Sequence, residues 1–131
     1  PGSARYSATA FSIGNKGYMG TGKSYKQYES DFYEYDATSD LWIQIAKFPT
    51  LRDEAAAFVI GSKAYVGTGY DGDNYKKDLW EYDPSANNWT QKVDFIGTAR
   101  LGAVGFSLAG HGYIGTGYTG SYEKSFFEYF P

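Results

Sequence analysis

Cysteine is absent from the 131 residues, and histidine and methionine occur once each. The missing thiols exclude disulfides, thiolate metal sites and cysteine nucleophiles, and they leave the compartment open. No apolar run approaches the roughly 20 residues that a membrane helix needs, so no membrane span is expected. No basic-then-apolar segment opens the sequence, so any export signal is expected to lie outside it. A basic stripe is missing too. The 12 Lys and Arg are interleaved with 15 Asp and Glu, for a formal net charge of −3. That balance argues against nucleic acid as a partner.

Aromatic residues and glycine are abundant. Tyr, Phe and Trp number 14, 9 and 3, and 17 Gly are spread along the chain. Aromatic side chains favour pleated, half-buried surfaces, and glycine punctuates turns. The composition points to an all-β chain of short strands.

The order of these residues is periodic. Gly20-Thr21-Gly22 returns as Gly67-Thr68-Gly69 and Gly115-Thr116-Gly117, at spacings of 47 and 48. Arg5, Arg52 and Arg100 follow the same spacing, as do Tyr18, Tyr65 and Tyr113. Glu34-Tyr35 returns as Glu81-Tyr82 and Glu128-Tyr129, and Trp42 returns as Trp89. A period of this size marks a repeat architecture. Each unit reads as a series of strands. A small, apolar first strand (Ala8 to Ile13, Ala55 to Ile60, Ala103 to Leu108) precedes a tight turn. The second strand ends in the Gly-Thr-Gly. A polar loop leads to the third (Phe32 to Tyr35, Leu79 to Tyr82, Phe126 to Tyr129). The fourth starts at Trp42 or Trp89 after a turn rich in Asp, Asn, Ser and Pro.

Four short strands in every 40 to 50 residues, about the length of these units, suit the blade of a β-propeller. The glycine-rich close of strand two, then Glu-Tyr-Asp with an optional Pro, then Trp six residues after the Asp, resembles the kelch repeat. Tyr82-Asp83-Pro84 with Asn88-Trp89 carries the pattern most fully. That family usually has Gly-Gly where this chain has Gly-Thr-Gly, and the threonine form resembles kelch repeats of exported bacterial proteins. The resemblance implies a partial propeller, all-β, in three blades: 1–51, 52–99 and an incomplete 100–131 lacking its outer strand. It also implies an extracellular or cell-surface location. Phe130 departs from the pattern, standing where the other units have Asp36 and Asp83.

Closed propellers have 4–8 blades, so an open arc is expected to leave an apolar face at each end. Phe11 and Ile13 are expected on one such face, and Phe106, Leu108, Phe126, Phe127 and Tyr129 at the other. Two readings follow. The sequence is a fragment of a longer propeller, or copies associate, as a dimeric six-blade ring or as an open filament.

Candidate ligand contacts fall in two groups. Arg5, Arg52 and Arg100 open the first strands, and the resemblance puts them on the face that carries the loops between strands two and three. They either form part of a basic ring suited to a carboxylate or bond loop carbonyls within each blade. The loops after the Gly-Thr-Gly differ among units and carry Tyr25, Tyr28, Tyr70, Tyr75, Tyr118 and Tyr122. Variable loops on a fixed scaffold are where binding resides, and Tyr25, Tyr70, Tyr118 and Tyr122 are the candidates for a glycan or a protein. Asp71-Gly72-Asp73-Asn74 offers oxygen ligands but reads as a turn, since calcium wants six to eight oxygens. His111 reads as a surface residue, and Asp53 and Glu54 as local partners of Arg52. No metal, cofactor or catalytic residue is assigned. Galactose oxidase shares the kelch architecture, but its copper site needs His, Tyr and a Tyr joined to Cys. Sialidase-like propellers need several Arg with a Tyr and a carboxylate in the channel, a poor match to Arg at repeat positions. The expectation is a non-catalytic binding or assembly module; the alternative is a piece of a larger exported propeller that binds glycan or protein through its loops.

Overall fold

The computed structural model describes residues 1–131. The chain is all-β, with 13 strands and no helix. The first unit holds β1 (Arg5–Tyr6), β2 (Thr9–Ile13), β3 (Lys16–Gly20), β4 (Lys23–Ser24), β5 (Phe32–Asp36) and β6 (Leu41–Ile45). The second holds β7 (Ala56–Ile60), β8 (Lys63–Gly67), β9 (Leu79–Asp83) and β10 (Asn88–Gln91). The third holds β11 (Val104–Leu108), β12 (His111–Gly115) and β13 (Phe126–Tyr129). They form antiparallel sheets ordered β2-β3-β5-β6, β7-β8-β9-β10 and β11-β12-β13, with β1 and β4 as a small separate pair. No helix is long and apolar enough to cross a membrane.

The three large sheets repeat in register as well as in order. Phe11 lies opposite Tyr18 and Tyr18 opposite Glu34; Phe58, Tyr65 and Glu81 match them, as do Phe106, Tyr113 and Glu128. The Phe–Tyr pair stacks with ring centroids 5.1 Å apart in every sheet. Cross-strand aromatic pairs of this kind fix register, because a one-residue slip would turn each ring to the other face.

The sheets pack face to face, closest at their first strands. β2 and β11 both lie against β7, whereas β6 and β10 approach no strand backbone but that of β5 and β9. Small residues permit this convergence. A Cβ on Gly105 would sit 2.5 Å from the Ala57 carbonyl oxygen, and the Thr9 hydroxyl donates to the Ala55 carbonyl at 2.9 Å. The first seam buries Tyr18, Phe32, Ile45 and Phe48 against Ala64, Val66 and Tyr82, and the second buries Phe58, Tyr65, Leu79 and Phe95 against Ile114. Each large apolar side chain placed there contributes roughly 1.5–3 kcal/mol.

In the Gly-Thr-Gly the left-handed backbone falls on the threonine and the second glycine, with φ of 57° and 91° at Thr21 and Gly22 and the same pattern in the other units. The first glycine serves close approach instead: a Cβ at Gly20 would lie 2.4 Å from the Asp31 carbonyl oxygen. A β-branched residue at positive φ is uncommon, and its recurrence in three units marks a constrained turn.

The expected membership of the end faces needs correction. Phe11 and Ile13 are not on an open face; they pack against the second unit. Phe127 and Tyr129 point inward as well, Phe127 onto Phe95 at 5.1 Å and Tyr129 onto Tyr65 at 5.3 Å. Strand parity explains both. Every unit turns its Phe–Tyr stack toward the following unit, so in the first unit that side is covered and in the third it is free. Phe106, Leu108 and Phe126 are exposed. The free side of the first unit carries Ala10, Met19, Tyr33, Tyr35 and Trp42 instead, by the same alternation along the strands.

Candidate binding surface

The three repeat arginines are held inside their own units. Arg52 is fully buried. Its Nη1 donates to the Thr68 carbonyl at 2.6 Å and to Asp78 Oδ1 at 2.8 Å, while Nη2 reaches Asp78 Oδ2 at 2.8 Å. Its guanidinium also lies 5.2 Å from the Phe48 ring centroid. Arg5 repeats the arrangement with the Thr21 carbonyl and Asp31. Burial pushes the Asp78 carboxyl up, but its bonds to Arg52 and to the Trp80 indole bring it below the usual carboxylate range. Arg52 pairs with Asp78, not with its neighbours Asp53 and Glu54 as expected. Arg100 bonds the Thr116 carbonyl at 2.9 Å but meets Ser125 where the other units have Asp31 and Asp78. It sits 4.9 Å from the Phe95 ring centroid, buried and without a carboxylate partner.

The loops after the Gly-Thr-Gly build a row of tyrosines across all three units. Ring centroids run Tyr28 to Tyr70 at 5.7 Å, Tyr70 to Tyr75 at 5.8 Å, Tyr75 to Tyr118 at 6.1 Å and Tyr118 to Tyr122 at 5.5 Å, all edge to face. Lys23 Nζ closes one end, 4.6 Å from the Tyr28 ring centroid. Isolated backbone bridges set this spacing: Tyr70 pairs with both Asp53 and Tyr75, and Tyr118 with both Leu101 and Tyr122. Of the candidate tyrosines, Tyr70, Tyr118 and Tyr122 are in the row. Tyr25 is fully exposed and makes no ring contact. Tyr28 and Tyr75, which were not among the candidates, complete the row. An open depression of about 520 Å³ lies beside it, lined by Tyr70, Asp73, Asn74, Tyr75 and Leu101.

Carboxylates beneath this surface have distinct states. Asp71 Oδ1 accepts the N–H groups of Asp73 and Asn74 at 2.9 and 2.8 Å, and Lys76 Nζ lies 3.0 Å from Oδ2. Partial burial raises its pKa, but these donors outweigh that and bring it to about 2. The Asp-Gly-Asp-Asn segment is thus a turn closed by its own carboxylate. Asp53 differs. Its Oδ1 is buried with no partner, and burial, helped by the neighbouring Glu54 charge, pushes the carboxyl up to about 6. His111 bonds Glu128 at 2.7 Å on the surface, in the column where Lys16 and Lys63 pair with Glu34 and Asp83. No three His, Asp or Glu side chains cluster closely enough to hold a metal ion.

Neither a protein-family model nor a curated protein matches the chain. Function must therefore be argued from the surfaces themselves. The loop carbonyls that the sequence offered as partners of the three arginines are those of Thr21, Thr68 and Thr116; the carboxylate partners and the aromatic cover of Phe48 and Phe95 were not picked out, although Asp31 and Asp78, like Phe48 and Phe95, recur on the 47-residue spacing.

Proposed function

We propose that the chain is a partial kelch-type propeller that acts as a non-catalytic assembly module, joining its third unit to the first unit of another copy. The observation that carries this reading is a set of backbone bonds repeated between successive units. Gly22 N–H donates to the Arg52 carbonyl at 2.7 Å, and Gly69 N–H to the Arg100 carbonyl at 2.7 Å. Glu54 N–H donates to the Ser7 carbonyl and Gly102 N–H to the Glu54 carbonyl, both at 3.1 Å. Continued by one unit, the series would take Gly117 N–H to an Arg5 carbonyl, and a Ser7 N–H to the Gly102 carbonyl, of another copy. The apolar faces support the same step. Phe106 and Phe126 are 45% and 46% exposed, whereas their counterparts Phe58 and Leu79 are 3% and 1% exposed under the next unit. Exposed apolar patches of this kind mark association surfaces. Such a contact is heterologous: two copies close a six-unit ring, or many form a filament.

Sedimentation velocity over a wide concentration range tests this. The wild-type chain is expected to associate, Phe106→Asp to remain monomeric, and Tyr25→Asp to behave as wild type. A wild-type chain that stays folded and monomeric at high concentration overturns the proposal.

The tyrosine row favours a second role for the loop surface. A line of half-exposed tyrosine edges offers stacking faces and hydroxyls to a glycan or a protein loop. Tyr70→Ala and Tyr118→Ala should then weaken binding in a glycan or peptide screen without altering sedimentation. Unchanged binding in both variants would remove the row from the account.

A further inference from the structure

We infer that the depression between the second and third units is a seat for an alkylammonium group, of the kind a lysine of a protein partner presents. The inference rests on the tyrosine row as a binding surface and names the chemistry that the row selects. The depression of about 520 Å³ is lined by Tyr70, Asp73, Asn74, Tyr75 and Leu101. It lies at a seam inside the chain, and the Tyr118 ring centroid stands 6.1 Å from that of Tyr75.

The preceding seam shows what such a seat holds. Moved back by one unit, the five lining residues become Lys23, Lys26, Gln27, Tyr28 and Asp53. There the chain supplies its own cation. Lys23 Nζ lies 4.6 Å from the Tyr28 ring centroid and donates to the Tyr28 hydroxyl at 3.2 Å. Tyr28 first, and Asp53 across the seam to a lesser degree, raise the Lys23 pKa, so the seat favours the charged form. The second seam keeps the outer tyrosine and loses the cations. Tyr70 stands in place of Lys23 and Asp73 in place of Lys26, so the lining turns from basic to acidic. Asp73 is exposed and has no ion-pair partner, whereas Lys76 of the same loop is held by Asp71 at 3.0 Å.

Ring geometry separates a cation from a sugar. Tyr70 and Tyr75 meet at an interplanar angle of 61°, and Tyr75 and Tyr118 at 74°. Neighbouring rings therefore form the walls of a corner, not a flat platform. A sugar stacks flat on one ring, whereas a compact cation gains from several rings around it. The Tyr70 hydroxyl already donates to the Gly72 carbonyl at 2.7 Å, which leaves its ring to the guest. Asp73 supplies the counter-charge at the rim.

The test is fluorine NMR of the chain labelled with 3-fluorotyrosine, with Tyr70, Tyr75 and Tyr118 assigned by replacement with Phe. n-Butylammonium chloride is titrated at constant ionic strength, made up with sodium chloride. A Gly-Lys-Gly peptide blocked at both ends is titrated in the same way, and n-butanol and methyl glucoside are the uncharged probes. Saturable shifts at the three tyrosines are expected with butylammonium and with the peptide, and none with the uncharged probes. Asp73→Lys and Tyr70→Lys restore residues of the first seam, and each should weaken the cation about fivefold or more. Tyr25→Ala, outside the row, should not. No shift with either cation, equal shifts with butanol, or full affinity in Asp73→Lys overturns the inference. Butylammonium bound with the peptide excluded overturns the protein partner. Methyl glucoside shifting the row when the cations do not overturns the inference and keeps the row as a binding surface; silence from every probe removes both.

Discussion

The indole N–H of Trp89 donates to the carbonyl of Ala46 at 3.0 Å, reaching from the second unit into the first. Trp42 occupies the same place in the first unit, on a side where no other sheet packs; it stacks on Tyr35 at 5.0 Å and is 42% exposed. One repeated residue thus has two environments, and the difference is set by which neighbours exist.

Their replacement should therefore differ in cost. Trp89→Ala empties a seat between Phe32, Phe48 and Tyr82 and should lose about 3–5 kcal/mol, as large aromatic deletions do. Trp42→Ala should lose about 1 kcal/mol or less in dilute protein. Urea titration of the two variants at low concentration measures both, and equal losses would contradict the assigned stacking direction.

The arginine column gives a gain-of-stability test. Arg52 holds Asp78 in a two-point ion pair, and Arg100 donates hydrogen bonds only to Ser125 and carbonyl groups. Breaking a buried pair leaves an uncompensated charge and costs about 3–5 kcal/mol. Asp78→Ser should destabilise by about that amount. Ser125→Asp should stabilise by about 1–3 kcal/mol, the range of hydrogen bonds to charged groups. Thermal unfolding of both variants checks the signs, and a destabilised Ser125→Asp would show that the third unit has adapted to the missing carboxylate.

Much of this was legible in the sequence, for a physical reason. The repeat is written in residues that cannot be exchanged cheaply: a glycine where a Cβ would strike the next strand, a Phe–Tyr cross-strand stack, a tryptophan with a polar handle. The main strands and their order in each sheet followed from them. The facing of each sheet did not. Phe11 and Phe106 are the same residue in the repeat, and only the stacking direction, a tertiary property, covers one and exposes the other. The tyrosine row was half visible. The loops were recognised, but edge-to-face contacts between Tyr75 and Tyr118 depend on how adjacent units approach, which no local pattern encodes. Asp53 shared that limit, since an acid beside an arginine reads as a pair until the arginine is found elsewhere.

Asp53 gives the chain a pH dependence of unusual sign for a carboxylate. In the folded chain it holds its proton up to about pH 6, against an ordinary value of 3.8. Between those values the folded state binds more protons than the unfolded one, so this group's contribution falls as pH rises from about 4 to about 6 and is level above. From 3.8 to about 6 the loss is on the order of 3 kcal/mol, at about 1.36 kcal/mol per pH unit. Asp53→Asn should remove it, so the variant should gain on wild type across that window and keep the gain at pH 7. A stability difference independent of pH between 4 and 7 would show that Asp53 is ionised throughout.

Head-to-tail association covers the free side of the first unit with another copy's third unit, and Trp42 reports that event directly. The chain labelled with 5-fluorotryptophan gives a fluorine resonance for each of its 3 Trp, with Trp42 assigned from Trp42→Phe. On raising the concentration, the H₂O/D₂O isotope shift of Trp42 should fall toward that of Trp89 while Trp80 and Trp89 stay unchanged. A Trp42 resonance that keeps its full solvent shift in a concentrated, folded sample would contradict head-to-tail association of the units.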